Sequence, residues 1–169
     1  MLKSPTQETI TTLYECYKSK EYPHFFRHLL PDLQLEQFIS AMLLMGLVYN
    51  IVDNNQIIGF LTSNINTITR NASLGILILK EHQSKKYALS TLAKYIDLLF
   101  HRKVHKIIFS ISSADERSLK IIEESDFIKE ATLRDTSRYN GNYHNDIVYV
   151  LPHKRYKRLI KLRNKMKEG

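Results

Sequence analysis

The chain has 169 residues, of which 43% are hydrophobic and 25% charged, and this composition is typical of one folded domain and excludes a disordered chain. Its formal net charge of +8 is concentrated near the C-terminus: residues 153–169 contain eight basic residues and one acid, Glu168, and so carry +7. The remainder carries only +1, which argues against a domain that binds nucleic acid over its whole surface. We therefore predict a single domain at residues 1–152 and a basic helical tail at residues 153–169.

The single cysteine, Cys16, excludes an internal disulfide framework. We expect it to be a buried structural thiol rather than a nucleophile. No signal segment opens the sequence, and no apolar run is long and uninterrupted enough to cross a bilayer. These features predict a cytoplasmic protein.

The N-terminal third has the hydrophobic periodicity of helices. Ser4-Pro5-Thr6 supplies start signals for a first helix. A second helical segment is predicted around residues 22–30, before Pro31 breaks the chain. A third helix is predicted at about residues 33–44, and we interpret its methionines and phenylalanine as core rather than as a cofactor site. Gly46 ends it.

The rest of the chain alternates strands and helices. Strands at residues 47–52 and 56–65 flank Asp53-Asn54-Asn55, which is typical of a hairpin turn. A strand at about residues 72–79, a helix at 87–101, a strand at 106–112 and a helix at 115–125 follow. A last hairpin pairs residues 127–138 with 144–151 around Asn140-Gly141-Asn142. This order predicts an α+β fold with a mixed sheet.

A strand, a basic turn and a helix follow one another directly between Ile76 and Leu89. The first turn of a helix leaves backbone N–H groups without partners and carries partial positive charge. The segment therefore predicts a phosphate or pyrophosphate site. A turn without any ligand is the alternative, because every βα unit contains such a turn.

The motifs within this order resemble the GNAT superfamily of N-acetyltransferases. Gln83 and Ala88 match the family's coenzyme loop, Gln/Arg-x-x-Gly-x-Gly/Ala, with Lys86 at its first glycine. Asp115 and Ser118 match the family's Asn-x-x-Ser, with aspartate in place of asparagine. Residues 121–127 keep the family's phenylalanine but have Ile122 for its tyrosine and an aspartate for its glycine.

Residues 127–135 and 140–146 resemble the branch that contains ribosomal-protein alanine N-acetyltransferases and spermidine N-acetyltransferases. The resemblance covers about residues 10–151. It implies a three-layer α/β/α fold with a central, mostly antiparallel sheet, in which the first strand is missing or very short.

The resemblance also implies acetyl-coenzyme A as co-substrate, and no metal. The pantetheine arm would pair with the backbone at Ile76, Leu77 and Ile78. The pyrophosphate would lie on the amides of the loop that follows, and this set comprises Gln83, Ser84, Lys85, Lys86, Tyr87, Ala88 and Leu89. Asp115 and Ser118 would contact the coenzyme; alternatively, the aspartate only caps its helix and the serine is exposed.

Lys86 replaces the glycine that allows a phosphate to approach the backbone. A side chain there costs about 1 kcal/mol if φ is positive. Its ammonium would gain a charge-assisted contact with a pyrophosphate, whereas a merely solvated lysine is the alternative.

Acetyl transfer needs a base for the amine and an acid for the leaving thiolate. The family often uses the tyrosine that Ile122 replaces, so the acid must come from elsewhere. The weak candidates for the catalytic groups are Tyr87, His82, Tyr139, Tyr143 and Ser118, with Glu81 as a further base. His144 and Asp146 either face the acceptor or are ordinary polar strand residues.

The resemblance therefore implies an N-acetyltransferase that acts on a primary amine by direct attack in a ternary complex. The acceptor would be a protein N-terminus, a polyamine or another small amine. The alternatives are a catalytically weak or inactive relative that binds coenzyme A or a partner, and a basic RNA-associated module. A homodimer is compatible with either coenzyme-binding alternative.

The tail carries a narrow apolar stripe of Tyr156, Leu159, Ile160 and Met166 on an otherwise basic helix. It could bind an anionic lipid surface, ribosomal RNA or an acidic partner. Packing on its own domain, or fraying, is the alternative.

Overall fold

The computed structural model describes residues 1–83, 86–139 and 141–165. The helices in these residues are α1 (Gln7–Ser19), α2 (Leu35–Leu44), α3 (Tyr87–His101), α4 (Glu116–Glu123) and α5 (His153–Lys165). The strands are β1 (Leu2–Lys3), β2 (Leu47–Asp53), β3 (Gln56–Ile65), β4 (Asn71–Ile78), β5 (Lys106–Ser112), β6 (Ile128–Tyr139) and β7 (Asn142–Pro152). A single 3₁₀ turn at Lys80–His82 links β4 to the loop before α3.

The seven strands form one sheet in the order β1-β2-β3-β4-β5-β7-β6. Every neighbouring pair is antiparallel except β4 with β5, which is parallel. The predicted mixed, mostly antiparallel sheet is confirmed, and β1 is as short as the resemblance implies. The β2–β3 turn has Asn54 at φ 46° and Asn55 at φ 63°, and asparagine tolerates this left-handed backbone better than most residues.

The two faces of the sheet pack on separate groups of helices, which gives the predicted three layers. In β4, Leu74 faces a core that contains Ile96 and Leu99 of α3. Leu77, on the opposite face, packs in a second core with Phe38 and Met42 of α2. The interpretation of the α2 stripe as core is therefore confirmed.

Cys16 is buried in the second core, where it is free of any disulfide. Burial, reinforced by nearby carboxylates, raises the pKa of its thiol to about 11. The thiol is therefore protonated and unreactive at neutral pH, as the sequence predicted.

The helix predicted around residues 22–30 is wrong, because this segment is a run of turns between α1 and α2. Phe25 N–H donates to the Tyr22 carbonyl at 3.2 Å and Leu29 N–H to the Phe26 carbonyl at 2.9 Å. Two contacts of α1 hold the end of the loop: the Tyr17 hydroxyl donates to the Leu30 carbonyl at 2.6 Å and accepts from Leu33 N–H at 2.8 Å. Contacts with other elements therefore override the local helical periodicity.

The tail helix α5 packs on α3. The rings of Phe100 and His153 stack with centroids 4.9 Å apart, and Tyr156 lies 4.5 Å from the same phenylalanine. Tyr156 and Leu159 also pack against the larger core, whereas Met166 lies outside the described residues. Of the alternatives for the tail, packing of its first turns on the domain is the one observed. Across the described ranges, no helix is long and apolar enough to cross a membrane.

Candidate functional site

Strands β4 and β5 separate from each other along most of their length. Their parallel pairing joins only Asn71–Ser73 with Lys106–Ile108. Beyond this point β4 stays paired to β3 as far as Ile78, and β5 stays paired to β7 as far as Ser112. Along this gap the two strands make no ladder with each other, and such unpaired strand edges can bind an extended chain. The gap includes Ile76, Leu77 and Ile78, where the pantetheine arm was predicted.

The α1–α2 loop, residues 20–34, crosses this gap on the face of the sheet that carries α1 and α2. At its start, the Tyr22 hydroxyl accepts a hydrogen bond from Lys80 N–H, directly after β4. The ring of Phe25 then lies over Gly75 of β4. Gly75 has no room for a side chain, because a Cβ there would lie 2.6 Å from the Thr62 hydroxyl. Arg27 reaches β5, donating to the Ser110 carbonyl at 2.8 Å. The loop thus connects both sides of the gap.

A buried ion pair holds the loop on the β5 side. Asp146 of β7 is only 2% exposed, and the Arg27 guanidinium donates to both of its carboxylate oxygens at 3.3 Å. The Ser110 hydroxyl donates to Oδ2 at 3.2 Å, and Nε2 of His28 lies 3.6 Å from the same oxygen. Asp146, one of the weaker sequence candidates, is therefore joined to a part of the chain that the sequence did not single out.

The turn between β4 and α3 is fixed by side chains from two elements. Gln83 donates through Nε2 to the Ile78 carbonyl at 3.0 Å, and its Oε1 accepts from Arg117 of α4. Lys86 is the N-cap of α3, with φ 58° and ψ 14°, so the positive φ considered for this position is present. Ala88 and Leu89 lie in the first turn of α3, while Ser84 and Lys85 lie outside the described residues.

The start of α4 faces this turn. The Asp115 carboxylate accepts from Ser118 N–H at 3.1 Å, so the aspartate caps its helix. Arg117 is exposed next to it. Ile122 is buried, 7% exposed, in the core with Phe109, so no proton donor stands where the family often has tyrosine.

The tyrosine candidates occupy three different places. The Tyr87 hydroxyl donates to Asp53 Oδ2 at 2.8 Å, on the β3 side of β4, and this bond to a carboxylate raises the pKa of the phenol. Tyr139 lies at the end of β6, where its ring is 4.9 Å from that of His24 and 6.3 Å from that of His144. Tyr143 is 65% exposed and packs against Arg138. Of the three, Tyr139 contacts the α1–α2 loop.

His82 and Glu81 lie in the 3₁₀ turn after β4. Nε2 of His82 is buried without a hydrogen-bond partner within the described part of the chain, and it lies 3.9 Å from Glu81. The ring of His82 faces that of Tyr87 at 6.5 Å. The structure thus places His82 beside both Tyr87 and Glu81.

The residues that sequence reasoning missed are Arg27, His28, Ser110 and Arg117. Arg27 and His28 were missed because a helix was predicted across the segment that contains them. Arg117 lies inside the motif Asp115-Glu116-Arg117-Ser118 that carried the resemblance, and a basic residue at a helix start beside a predicted phosphate site was the available signal. Within the described residues, no group of three or more histidine, cysteine or acidic side chains is arranged to hold a metal.

Comparisons with known proteins agree with this architecture. The chain is 31% identical over 93 residues to the spermidine N(1)-acetyltransferase of Vibrio cholerae serotype O1, an alignment that spans about half of each protein, 53% in both cases. A crystal structure of spermidine N-acetyltransferase from Vibrio cholerae in complex with CoA and spermine superimposes with a TM-score of 0.81 at 19% identity. That superposition covers 92% of this chain and 96% of that one.

An N-acetyltransferase from Staphylococcus aureus superimposes with a TM-score of 0.73 at 14% identity, covering 90% of this chain and 98% of that one. At these identities, the two structures establish the fold. The sequence model of the family described as "Acetyltransferase (GNAT) domain" matches residues 1–128, more than half of the chain. The protein is therefore a member of the GNAT acetyltransferase family.

Proposed function

We propose that this protein transfers the acetyl group of acetyl-coenzyme A to a primary amine. The observation that carries the proposal is the gap between β4 and β5, whose β4 side ends at Ile78 beside the turn that leads into α3. Pantetheine in the gap would bring the thioester beneath the α1–α2 loop, on the face from which the amine would attack. Direct attack needs mainly positioning of the two substrates and stabilisation of the oxyanion by backbone N–H groups.

The coenzyme would be held at two places. Its pantetheine arm would pair with the edge of β4 at Ile76, Leu77 and Ile78, which β5 leaves unpaired. Its pyrophosphate would accept hydrogen bonds from the loop and the first turn of α3, at Gln83, Lys86, Tyr87, Ala88 and Leu89, with Ser84 and Lys85 also in the set. Asp115 and Ser118 at the start of α4 complete the proposed coenzyme contacts.

Arg117 is the strongest additional candidate for a phosphate contact, because its guanidinium already lies on Gln83 of the loop. A guanidinium binds phosphate oxygens through fixed, charge-assisted hydrogen bonds. Recruiting Arg117 to the coenzyme would require it only to exchange an amide oxygen for a phosphate oxygen.

A polyamine is the first acceptor class to test, since the relative aligned with half of this chain is a spermidine N(1)-acetyltransferase. The second reading is a protein that binds the coenzyme without turnover, and the burial of Ile122 at the family's tyrosine position favours it. The two readings share the coenzyme site and differ in chemistry.

Thermal unfolding with and without acetyl-coenzyme A tests the shared part. We expect a clear rise in melting temperature, because a ligand that binds only the folded state stabilises it. R117A is expected to bind the coenzyme about ten- to a hundredfold more weakly, since a hydrogen bond to a charged group contributes about 1.5–3 kcal/mol. K120A, an exposed basic residue of the same helix, is the matched control and should bind like the wild type. Absence of any shift at millimolar ligand would refute both readings.

Release of free coenzyme A thiol then distinguishes an enzyme from a protein that only binds the coenzyme. Spermidine, spermine and peptides with a free N-terminus would be offered as acceptors. Thiol release that is faster with an acceptor than without one supports the enzyme hypothesis. Coenzyme binding without any thiol release supports a protein that binds the coenzyme without turnover.

We also propose that the outer face of α5 binds a polyanion, for which RNA is the specific candidate. Tyr156 and Leu159 turn the apolar side of α5 toward the domain. Five basic residues are exposed on the remaining surface: Lys154, Arg155, Lys157, Arg158 and Lys161, together with the uncharged Leu162 and Asn164. Binding of a labelled RNA oligonucleotide should weaken steeply with salt, and K157E/R158E should flatten that dependence. Affinity that does not change with salt would refute this docking surface.

A further inference from the structure

We infer that His28 is the general base that accepts the proton of the acceptor amine, with Asp146 as its positioning residue. The inference rests on the proposed acetyl transfer. It starts from the His28–Asp146 contact, in which an imidazole on the loop across the gap meets a carboxylate buried beneath it.

The contact fixes which nitrogen of the ring is free. Asp146 is ionisable and 2% exposed, and it already accepts hydrogen bonds from Arg27 and Ser110. Nε2 of His28 is the ring nitrogen that faces it, at 3.6 Å. A carboxylate at this place favours the tautomer with its proton on Nε2, which leaves the lone pair on Nδ1. A contact of this length shortens to a hydrogen bond with a small movement, as catalytic contacts often do when substrate binds.

The free side of the ring is open to a substrate. The side chain of His28 is 51% exposed, whereas its partner carboxylate is 4% exposed. His28 also lines a groove of about 460 Å³ between the α1–α2 loop and α2. The imidazole thus stands between a buried carboxylate and an open groove, which is the arrangement a base needs to meet an incoming amine.

The position of the ring relative to the gap is set by the loop. Arg27, the preceding residue, donates to the Ser110 carbonyl, and Ser110 belongs to the part of β5 that has separated from β4. On the other side of the gap the Phe25 ring lies over Gly75, where an added Cβ would meet it at 3.7 Å. The imidazole is therefore attached to the segment under which the thioester of a coenzyme in the gap would emerge.

Burial and the nearby charge of Arg27 favour the neutral form of His28. Arg27 on its own loop and Asp146 on β7 are the charged groups that face it, while α2 contributes Gln37 and Ser40 across the groove. Burial, and next the positive charge of Arg27, lower the pKa of the imidazole from its ordinary 6.5, against the opposing effect of Asp146. Neutral imidazole, the form that accepts a proton, therefore predominates at pH 7.

The reaction then balances without the family's tyrosine. The uncharged form of the amine attacks the thioester carbon, and as the C–N bond forms one of the two protons on its nitrogen passes to Nδ1 of His28. The C–S bond breaks, and the proton held by the imidazolium neutralises the thiolate, giving the N-acetylated amine and free coenzyme A. One histidine thus acts first as base and then as acid.

The test compares the pH dependence of kcat/KM for the wild type and H28Q, measured by thiol release. The wild type should lose activity as the pH falls below 6.5, because the imidazole becomes protonated. H28Q should be about a hundredfold slower near neutral pH and lack this acidic limb. D146N should move the limb to lower pH, because it removes the negative charge that raises the pKa of His28.

Two further measurements distinguish a catalytic base from a residue that only stabilises the structure. H28Q should lower kcat far more than it changes KM for the acceptor, since the base acts on the proton that the amine loses as the C–N bond forms. It should also keep the wild-type thermal shift with acetyl-coenzyme A. H101Q, the same change at an exposed histidine at the end of α3, is the matched control and should leave the profile unchanged.

The outcomes are distinct. An H28Q profile identical to that of an active wild type would overturn the inference and leave acetyl transfer standing. A wild-type protein that binds the coenzyme but releases no thiol with any acceptor would refute acetyl transfer, and the role of His28 with it.

Discussion

Lys86 adopts a backbone conformation that its residue type disfavours. Its φ of 58° puts it in the left-handed region, at the N-cap of α3 and at the place where the family pattern has glycine. An L-residue loses about 1 kcal/mol there relative to glycine, because its Cβ approaches the backbone. Its side chain is exposed, so packing does not offset this cost. A positive charge beside the proposed pyrophosphate is a physical reason for the lysine.

Two substitutions separate the strain at this residue from its charge. K86A removes the charge and keeps the Cβ, whereas K86G removes both. The free energy of unfolding of K86G, measured in urea, should exceed that of K86A by about 1 kcal/mol. Both variants should bind acetyl-coenzyme A more weakly, and with less dependence on salt, than the wild type. Equal stability of the two would show that the backbone at this position is not strained.

At the scale of elements, the α1–α2 loop is held in place by a charge pair that the protein has buried. Asp146 and Arg27 have side chains only 4% and 13% exposed, and they belong to segments 119 residues apart. The free-energy cost of burying two charges is offset only if the charges are paired with each other and their remaining hydrogen bonds are made. Ser110 supplies such bonds through its hydroxyl and its carbonyl. The pair ties the loop to β5 and β7 as one unit.

D146A is expected to lower the free energy of unfolding by about 3–5 kcal/mol, because it leaves the Arg27 guanidinium buried without its counter-charge. The matched control is D32A, which breaks the exposed Lys20–Asp32 pair and should cost less than about 1 kcal/mol. Urea unfolding measures both. If D146A proved no more costly than D32A, the buried pair would not be what holds the loop.

For the whole molecule, acidification is expected to reduce stability through histidines that the fold keeps neutral. His153, the first residue of α5, stacks on Phe100. Its burial, followed by the charges of Lys157 and of two nearby histidines, lowers the pKa of its imidazole. His28 is shifted in the same direction. A lowered folded-state pKa means that the unfolded chain binds more protons, so stability rises with pH in this range. The contribution is fully present above the unfolded value of 6.5 and is lost as the pH falls below it toward the folded pKa.

The measurement is the free energy of unfolding between neutral and mildly acidic pH for the wild type and H153Q. The wild type should lose stability over this interval, and H153Q should lose less, because glutamine takes up no proton. Identical slopes for the two proteins would show that His153 does not contribute to the pH dependence.

The sequence by itself determined most of the elements and their order, with the segment at residues 22–30 as the exception. The predicted helix at residues 87–101 and strand at 106–112 match α3 and β5 at both ends, because apolar periodicity and end signals agree in these segments. It also located the turn between β4 and α3 and the departure at Ile122. These features are local, and each can be read from a short run of residues.

Only the tertiary structure decided what covers the gap between β4 and β5. The apolar periodicity at residues 22–30 predicted a helix, but Phe25 and Arg27 instead contact Gly75 and Ser110, strand residues far away in the chain. The group formed by Arg27, His28, Ser110 and Asp146 depends on the strand order that places β5 beside β7. Pairing between distant segments leaves no periodic signal in either one, so a sequence can name the members of such a site but cannot bring them together.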